Sequence, residues 1–127
     1  MEKNLLQSFV DKWLASWTGN HPETLLEFYT NDAFYLDPVN PKGLNGKEQL
    51  FAYFKKLLQK NPEWKWTREE IFPTENGFTL KWKAEIPVAQ ENLIIYGVDI
   101  VEMTGNKISR NEVYFDRHDW LMKMTKK

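Results

Sequence analysis

Residues 34–46, FYLDPVNPKGLNG, mark the change from a strand to a loop and then to a helix. Large apolar side chains alternate before it ends at Asp37, which predicts a short strand over residues 33–37. Proline, asparagine and glycine then crowd together, which predicts a loop, and Asn45 or Gly46 would cap a helix beyond it. Asp37 lies where the strand stops. Its carboxyl group is either a pocket acid or a turn residue that bonds nearby backbone N–H groups.

The composition limits the class of protein. With 127 residues, the chain is long enough for one domain with a substantial hydrophobic core. Its 17 basic and 18 acidic residues form no stripe of one sign, so neither nucleic acid nor a membrane surface is an expected partner. There is no cysteine, which excludes disulfides and thiol catalysis. No signal peptide is recognisable, so a cytoplasmic protein is expected.

Three segments in the first half have the apolar spacing of amphipathic helices. Gly19 and Pro22 separate the first two, and Asn61-Pro62 ends the third, because the residue before proline disfavours helix. The predicted helices cover residues 4–18, 22–29 and 47–60.

From Trp64 onward, the apolar residues recur at every second position, which predicts antiparallel strands. The strand over residues 93–103 is apolar on both faces, so we expect it to be central and covered on both sides. Trp120, Leu121 and Met124 predict a terminal turn. This order of elements predicts an α+β domain, with helices on one face of a curved sheet that encloses a cone-shaped pocket. The other sheet face is then free for a second subunit.

Asp99 falls on an apolar face of that central strand, where an unpaired carboxylate would be costly. It is either a pocket group or a carboxylate bonded to a neighbour, such as Arg110, Tyr35 or the Trp13 indole. The chain also holds 6 Trp, 8 Phe and 5 Tyr, which indicates an aromatic-lined cavity, a buried association surface or a ring-rich core. The two histidines belong to no ligand-spaced cluster, so we expect no metal and no other cofactor.

Several short motifs resemble the NTF2-like superfamily, and within it the SnoaL-like and ketosteroid-isomerase-like branch. They are Asn31-Asp32-Ala33 before Asp37-Pro38, Gly43-Leu44-Asn45-Gly46 before a helix, Gly97-Val98-Asp99-Ile100, and Tyr114-Phe115-Asp116. The resemblance runs from residue 9 to residue 116 and implies one SnoaL-like domain over residues 1–127. It implies three N-terminal helices packed on a curved, mostly antiparallel sheet, and a homodimer.

The resemblance also implies roles for both carboxyl groups. In the isomerase branch, an Asp before Pro shuttles the proton, and Asp37 matches it. A second Asp on the long strand stays protonated and hydrogen-bonds the developing oxyanion, and Asp99 matches that. The family's oxyanion-binding tyrosine falls on Trp13, whose indole is bulkier and far less acidic, which argues against steroid isomerisation.

We therefore expect the cone to bind a small hydrophobic, carbonyl-bearing molecule. Asp37 and Asp99 would transfer protons in isomerase-, cyclase- or dehydratase-type chemistry. The predicted pocket residues are Trp13, Trp17, Tyr35, Trp82, Asn111 and Phe115. Asn111 could instead be a solvated strand residue, and the tryptophans could be core or interface residues. The alternative for the whole chain is a non-catalytic ligand-binding or protein-association domain, in which both carboxyl groups are structural.

Overall fold

The computed structural model describes residues 3–125, with side chains described for residues 4–123. Four helices are present: α1 (Lys3–Ala15), α2 (Pro22–Leu26), α3 (Gly46–Lys60) and α4 (His118–Thr125). Six strands are present: β1 (Tyr29–Asp37), β2 (Asn40–Asn45), β3 (Lys65–Pro73), β4 (Gly77–Val88), β5 (Glu91–Thr104) and β6 (Lys107–Phe115). The predicted terminal turn is helix α4, and the Met124 side chain lies outside the described ones.

The strands form one curved, unclosed sheet in the order β2-β1-β6-β5-β4-β3. Neighbouring strands are antiparallel except β1 and β6, which are parallel. Helix α1 packs near β3 and helix α3 packs near β1, so the helices cover the concave face. The predicted cone-shaped α+β fold, with three N-terminal helices on a mostly antiparallel sheet, is confirmed.

The core lies between the concave face and helices α1 and α3. Helix α3 buries Leu50, Phe54 and Leu58, which recur every fourth residue and form one stripe. Helix α1 contributes Trp13, whose ring is fully buried. Each such side chain stabilises the fold by about 1.5–3 kcal/mol relative to its exposed state.

The loop predicted after Asp37 is largely a strand. Strand β2 pairs with β1 at the edge of the sheet, where Pro41 is tolerated because an edge strand does not need every N–H group. Gly43 has a φ of +84°, and a Cβ atom there would lie 2.3 Å from the Phe34 ring. Glycine therefore serves both the dihedral angle and the close approach of that ring.

Strand β1 begins at Tyr29, although residues 22–29 have helical spacing. Helix α2 stops at Leu26 because the following residues pair with β6: Tyr29 lies beside Ile108, whose N–H donates to the Phe28 carbonyl at 2.7 Å. Long-range pairing overrides the local pattern here, since a five-residue helix has little stability of its own.

Strands β4 and β5 are connected by a two-residue turn. Strand β4 runs through Pro87 to Val88, which pairs with Glu91. Ala89 and Gln90 connect the strands with φ of 53° and 63°. Both values suit a type I′ turn, whose twist matches that of the flanking strands, and the turn imposes them on residues that do not favour them.

Strand β5 lies between β4 and β6 but is covered on one side only. Its concave face buries Ile95, Asp99 and Val101. On its outer face, Tyr96 is 54% exposed and Val98 is 37% exposed. The prediction that both faces are covered is therefore wrong for the single chain, whose helices all lie on the concave side.

Candidate functional site

A cavity of about 80 Å³ lies between the concave face of the sheet and helices α1 and α3. Its wall is mainly apolar and aromatic, with five tryptophans among the lining residues. The Trp64 ring packs against two other rings of the wall. Its centroid lies 5.9 Å from that of Trp66 and 5.2 Å from that of Trp120. The carboxyl groups that line the cavity are those of Asp37 and Asp99.

Strand register places two donors beside Asp99. Trp82 lies opposite Gly97 on β4, and Asn111 lies opposite Val101 on β6, so both are diagonal neighbours of Asp99. Trp82 Nε1 donates to Asp99 Oδ1 at 2.7 Å, and Asn111 Nδ2 donates to Oδ2 at 3.0 Å. Each carboxyl oxygen thus accepts one bond from a neutral group. Within the described part of the chain, no cation pairs with Asp99.

Burial raises the pKa of Asp99 to about 7, against the lowering effect of the Asn111 and Trp82 bonds. The charge of Asp37 raises this pKa further. Burial prevails because two neutral donors do not replace the hydration of a carboxylate. A carboxyl group with a pKa near 7 can hold or release a proton close to neutral pH, as a general acid or base must.

Three fully buried residues form a chain of donors behind Asp99. Trp13 Nε1 donates to the Tyr29 hydroxyl at 3.3 Å, and that hydroxyl donates to Asn111 Oδ1 at 2.8 Å. Burial raises the pKa of Tyr29 well above its usual value, so the hydroxyl keeps its proton. The chain fixes the orientation of the Asn111 amide, whose NH₂ end must then face Asp99.

Asp37 is held by five donors. Its Oδ1 accepts from the backbone N–H groups of Val39 (2.9 Å) and Asn40 (2.8 Å) and from Asn40 Nδ2 (3.0 Å). Its Oδ2 accepts from the hydroxyls of Tyr35 (2.8 Å) and Tyr53 (2.6 Å). An ionised carboxylate has about four lone-pair positions, so these bonds occupy its accepting capacity. Asp37 holds the turn as well as facing the cavity.

Both tyrosines beside Asp37 stay protonated. Burial, together with the charge of Asp37, raises the pKa of Tyr35 and of Tyr53. Tyr53 is not among the site residues predicted from the sequence, although its helical spacing indicates its position. Tyr53 and Leu57 lie one turn apart on helix α3, and both line the cavity, beside the stripe that enters the core.

The structure brings most of the sequence-predicted site residues to the cavity. Its wall includes Asp37, Asp99, Trp17, Tyr35, Trp82 and Phe115. Trp13 and Asn111 do not line it, because both are fully buried in the hydrogen-bonded chain behind Asp99. Arg110 is not the partner of Asp99, since it pairs with Glu102 and Glu112.

Residues 3–125 were compared with the patterns of a metal site and of a membrane-spanning helix. No group of three histidine, aspartate or glutamate side chains in this range converges as the ligands of a metal ion would. No helix in the same range is long and apolar enough to cross a membrane.

The fold and its aromatic cavity define a cone-shaped α+β protein of the NTF2-like kind. The sequence model of the SnoaL-like domain matches residues 10–111, which is most of the chain. The chain therefore belongs to the SnoaL-like domain family, and the resemblance drawn from its motifs is confirmed. None of the curated proteins compared with the chain matches it.

Solved structures show the same fold. A hypothetical protein with a ketosteroid isomerase-like fold from Catenulispora acidiphila, in complex with trimethylamine, is 19% identical over 91% of both chains, with a TM-score of 0.78. A protein from Shewanella putrefaciens, provisionally named a SnoaL-like polyketide cyclase, is 14% identical over 94% of this chain and 85% of its own, with a TM-score of 0.78. TerC, co-crystallised with polyporic acid, is 12% identical over 95% and 98%, also with a TM-score of 0.78.

Proposed function

We propose that the cavity binds a small hydrophobic molecule with a carbonyl group, and that Asp99 exchanges a proton with the carbon beside that carbonyl. The observation that carries this proposal is a buried carboxyl group, with a pKa raised to about 7, in an apolar wall. Membership of the SnoaL-like family supports a ligand-binding or a cyclase- or isomerase-type role. The small organic molecules held by two of the similar structures also support ligand binding.

The hydrogen bonds favour Asp99 over Asp37 as the proton acceptor. Asp99 accepts two bonds and so keeps accepting capacity, whereas five donors surround Asp37. Ionised Asp99 would take the proton, and the electron pair of the C–H bond would move onto the carbonyl oxygen as an enolate. Return of the proton to the same carbon gives exchange, and return to a conjugated carbon gives isomerisation. Asp37 would hold Tyr35 and Tyr53 in the wall.

The size of the cavity limits the ligand. Its volume of about 80 Å³ is roughly half that of a dry cavity that holds benzene, about 150 Å³. A group of a few carbon atoms therefore fits, whereas a polycyclic substrate would require a wall side chain such as Trp120 to move. A short ketone is the natural first probe.

Hydrogen–deuterium exchange at the α-carbons of 2-butanone, followed by NMR in D₂O, tests the proposal. We expect the protein to accelerate exchange over buffer, and Asp99→Asn to reduce the acceleration about 100-fold, because an amide cannot accept the proton. Asp32→Asn is the matched control, since it removes an exposed carboxylate that does not line the cavity. Circular dichroism verifies that each variant is folded.

Two outcomes would contradict the proposed role of Asp99. Exchange no faster than in buffer would refute the proton-transfer role. If Asp37→Asn abolished exchange in a folded protein while Asp99→Asn retained it, the roles implied by the family resemblance would replace those proposed here.

We also propose that the chain forms a homodimer through the outer face of the sheet. Such a dimer would also be expected if the chain were a non-catalytic protein-association domain. Ile94, Tyr96, Val98 and Tyr114 expose large apolar surfaces on neighbouring strands β5 and β6, which supports this proposal. Analytical ultracentrifugation should show a dimer that Tyr96→Glu weakens at least about tenfold, because the new charge loses its hydration in the interface. Leu5→Glu, on the exposed side of helix α1, should leave the dimer intact. A monomeric wild-type protein would contradict the proposal.

A further inference from the structure

A second recess adjoins the cavity. It measures about 450 Å³ and shares Val39, Tyr53, Leu57, Trp64 and Trp120 with the cavity wall. We call this recess the vestibule and define it by Tyr53, Lys56, Lys60, Trp64, Arg117 and Trp120. Because the two spaces share these side chains, a ligand longer than the cavity would extend into the vestibule.

The vestibule is positively charged. Lys56, Lys60 and Arg117 line it, and no Asp or Glu is among its described lining residues. The two lysines lie one helical turn apart on α3 and so face the same side. None of the three cations forms an ion pair with another residue of the described chain.

Two acidic residues that adjoin the lining of the vestibule, Asp116 beside Arg117 and Glu91 opposite Val88, have other partners. Asp116 precedes Arg117, and its carboxylate accepts from the His118 backbone N–H at 2.9 Å. Glu91, at the start of β5, pairs with Lys123 of helix α4. The described lining of the vestibule includes neither carboxylate, so its three cations are available to an anion.

The cavity differs from the vestibule in its charge. It is apolar, and its ionisable groups include the carboxyls of Asp37 and Asp99, so it repels an anionic group and favours an apolar one. Cations that line a recess next to low-dielectric walls concentrate their potential there. This arrangement would orient a molecule that has one apolar end and one anionic end.

We propose that the ligand is an amphipathic organic acid, whose apolar part enters the cavity while its carboxylate remains in the vestibule beside Lys56, Lys60 and Arg117. This inference rests on the proposed function, and together they define the ligand class as a short-chain oxo acid. Arg117 can bind a carboxylate through two parallel N–H bonds, and the lysines act as point charges. The carboxylate would lie away from Asp99, and the carbonyl would lie close to it.

Hexanoate and hexanamide provide a matched pair of probes, because they differ in the charge of one end. Titration followed by tryptophan fluorescence uses Trp64 and Trp120, which line both spaces. In about 0.02 M salt we expect hexanoate to bind about tenfold more tightly than hexanamide, and in about 0.5 M salt only about threefold, since salt screens exposed charges.

Substitution of the cations tests their role directly. The triple variant Lys56→Gln, Lys60→Gln, Arg117→Gln should bind both probes with equal affinity, while its affinity for hexanamide stays that of the wild type. The control is Lys55→Gln, which removes an exposed lysine of the same helix that does not line the vestibule. It should retain the preference for hexanoate.

The possible outcomes separate this inference from the proposed function. Equal binding of both probes by the wild type, or a preference that the triple variant retains, would overturn the organic-acid inference and leave the ligand-binding cavity standing. Failure of both probes to bind would overturn both. If the triple variant does not fold, the salt dependence of the wild type decides, and an unchanged preference in about 0.5 M salt would overturn the inference.

Discussion

Replacing Asp99 by asparagine should remove a large part of the dependence of stability on pH. The folded-state pKa of Asp99 is raised to about 7, whereas an aspartate in an unfolded chain titrates near 3.9. Between these values the native state holds a proton that the unfolded state has released, so the free energy of unfolding falls as pH rises from about 4 to about 7. A shift of this size corresponds to roughly 4 kcal/mol.

Urea unfolding of the wild type and of Asp99→Asn, at several pH values from about 4 to about 8, measures this effect. Asparagine has one acceptor oxygen for two donors, so the variant loses about 1–3 kcal/mol at every pH. The informative quantity is therefore the difference in free energy of unfolding between the two proteins, and how this difference changes with pH. As pH rises, we expect the free energy of unfolding of Asp99→Asn to increase by several kcal/mol relative to that of the wild type. Asp32→Asn should show no such increase. A difference that is constant with pH would contradict the raised pKa.

Gly97→Ala should be among the most destabilising single substitutions. Gly97 lies directly opposite Trp82, and a Cβ atom there would lie 2.2 Å from Cζ2 of the indole. The ring would have to move, and its 2.7 Å bond to Asp99 would be lost. Overpacking and an unsatisfied buried acceptor should together lower the free energy of unfolding by about 2–5 kcal/mol. Loss of a donor also disfavours the ionised carboxylate, so the pKa of Asp99 should rise further.

Urea unfolding of Gly97→Ala measures the loss, and Gly105→Ala is its control. Gly105 also has a special backbone conformation, with φ of +64°, but a Cβ atom there would meet nothing within 4 Å. That control should lose only about 1 kcal/mol, through its dihedral angle alone. If Gly97→Ala were as stable as the control, with an unchanged titration of Asp99, the tight placement of Trp82 would be refuted.

The order of most elements could be predicted from the sequence because their periodicities are local. The α3 stripe and the alternation along β4 to β6 were clear. The start of β1 at Tyr29 depended instead on a distant partner, Ile108 of β6. The edge strand β2 and the turn at Ala89 and Gln90 pair with residues close in sequence, but the Pro and Gly residues of β2 resemble a loop, and Ala and Gln are not typical of a tight turn. A local pattern cannot reveal a strand whose hydrogen bonds come from a segment about 80 residues away.

The site was predictable in part for the same reason. Strand alternation placed Asp99 on the concave face, and the change from strand to turn marked Asp37. The partners of these carboxyls were not predictable, because strand register determines which side chains become diagonal neighbours. Helical spacing placed Trp13 on the apolar stripe of α1, but could not show that it contacts Tyr29 rather than the cavity. Its indole therefore supports Asp99 through Tyr29 and Asn111.

We propose that Asp99 is a cavity carboxyl that exchanges its proton near neutral pH. Carbon-13 NMR titration of the aspartate side-chain carboxyl groups, with the Asp99 signal assigned from its loss in Asp99→Asn, tests this most directly. We expect a midpoint of about 7 for Asp99. A midpoint near 4, the ordinary value for an aspartate, would contradict it.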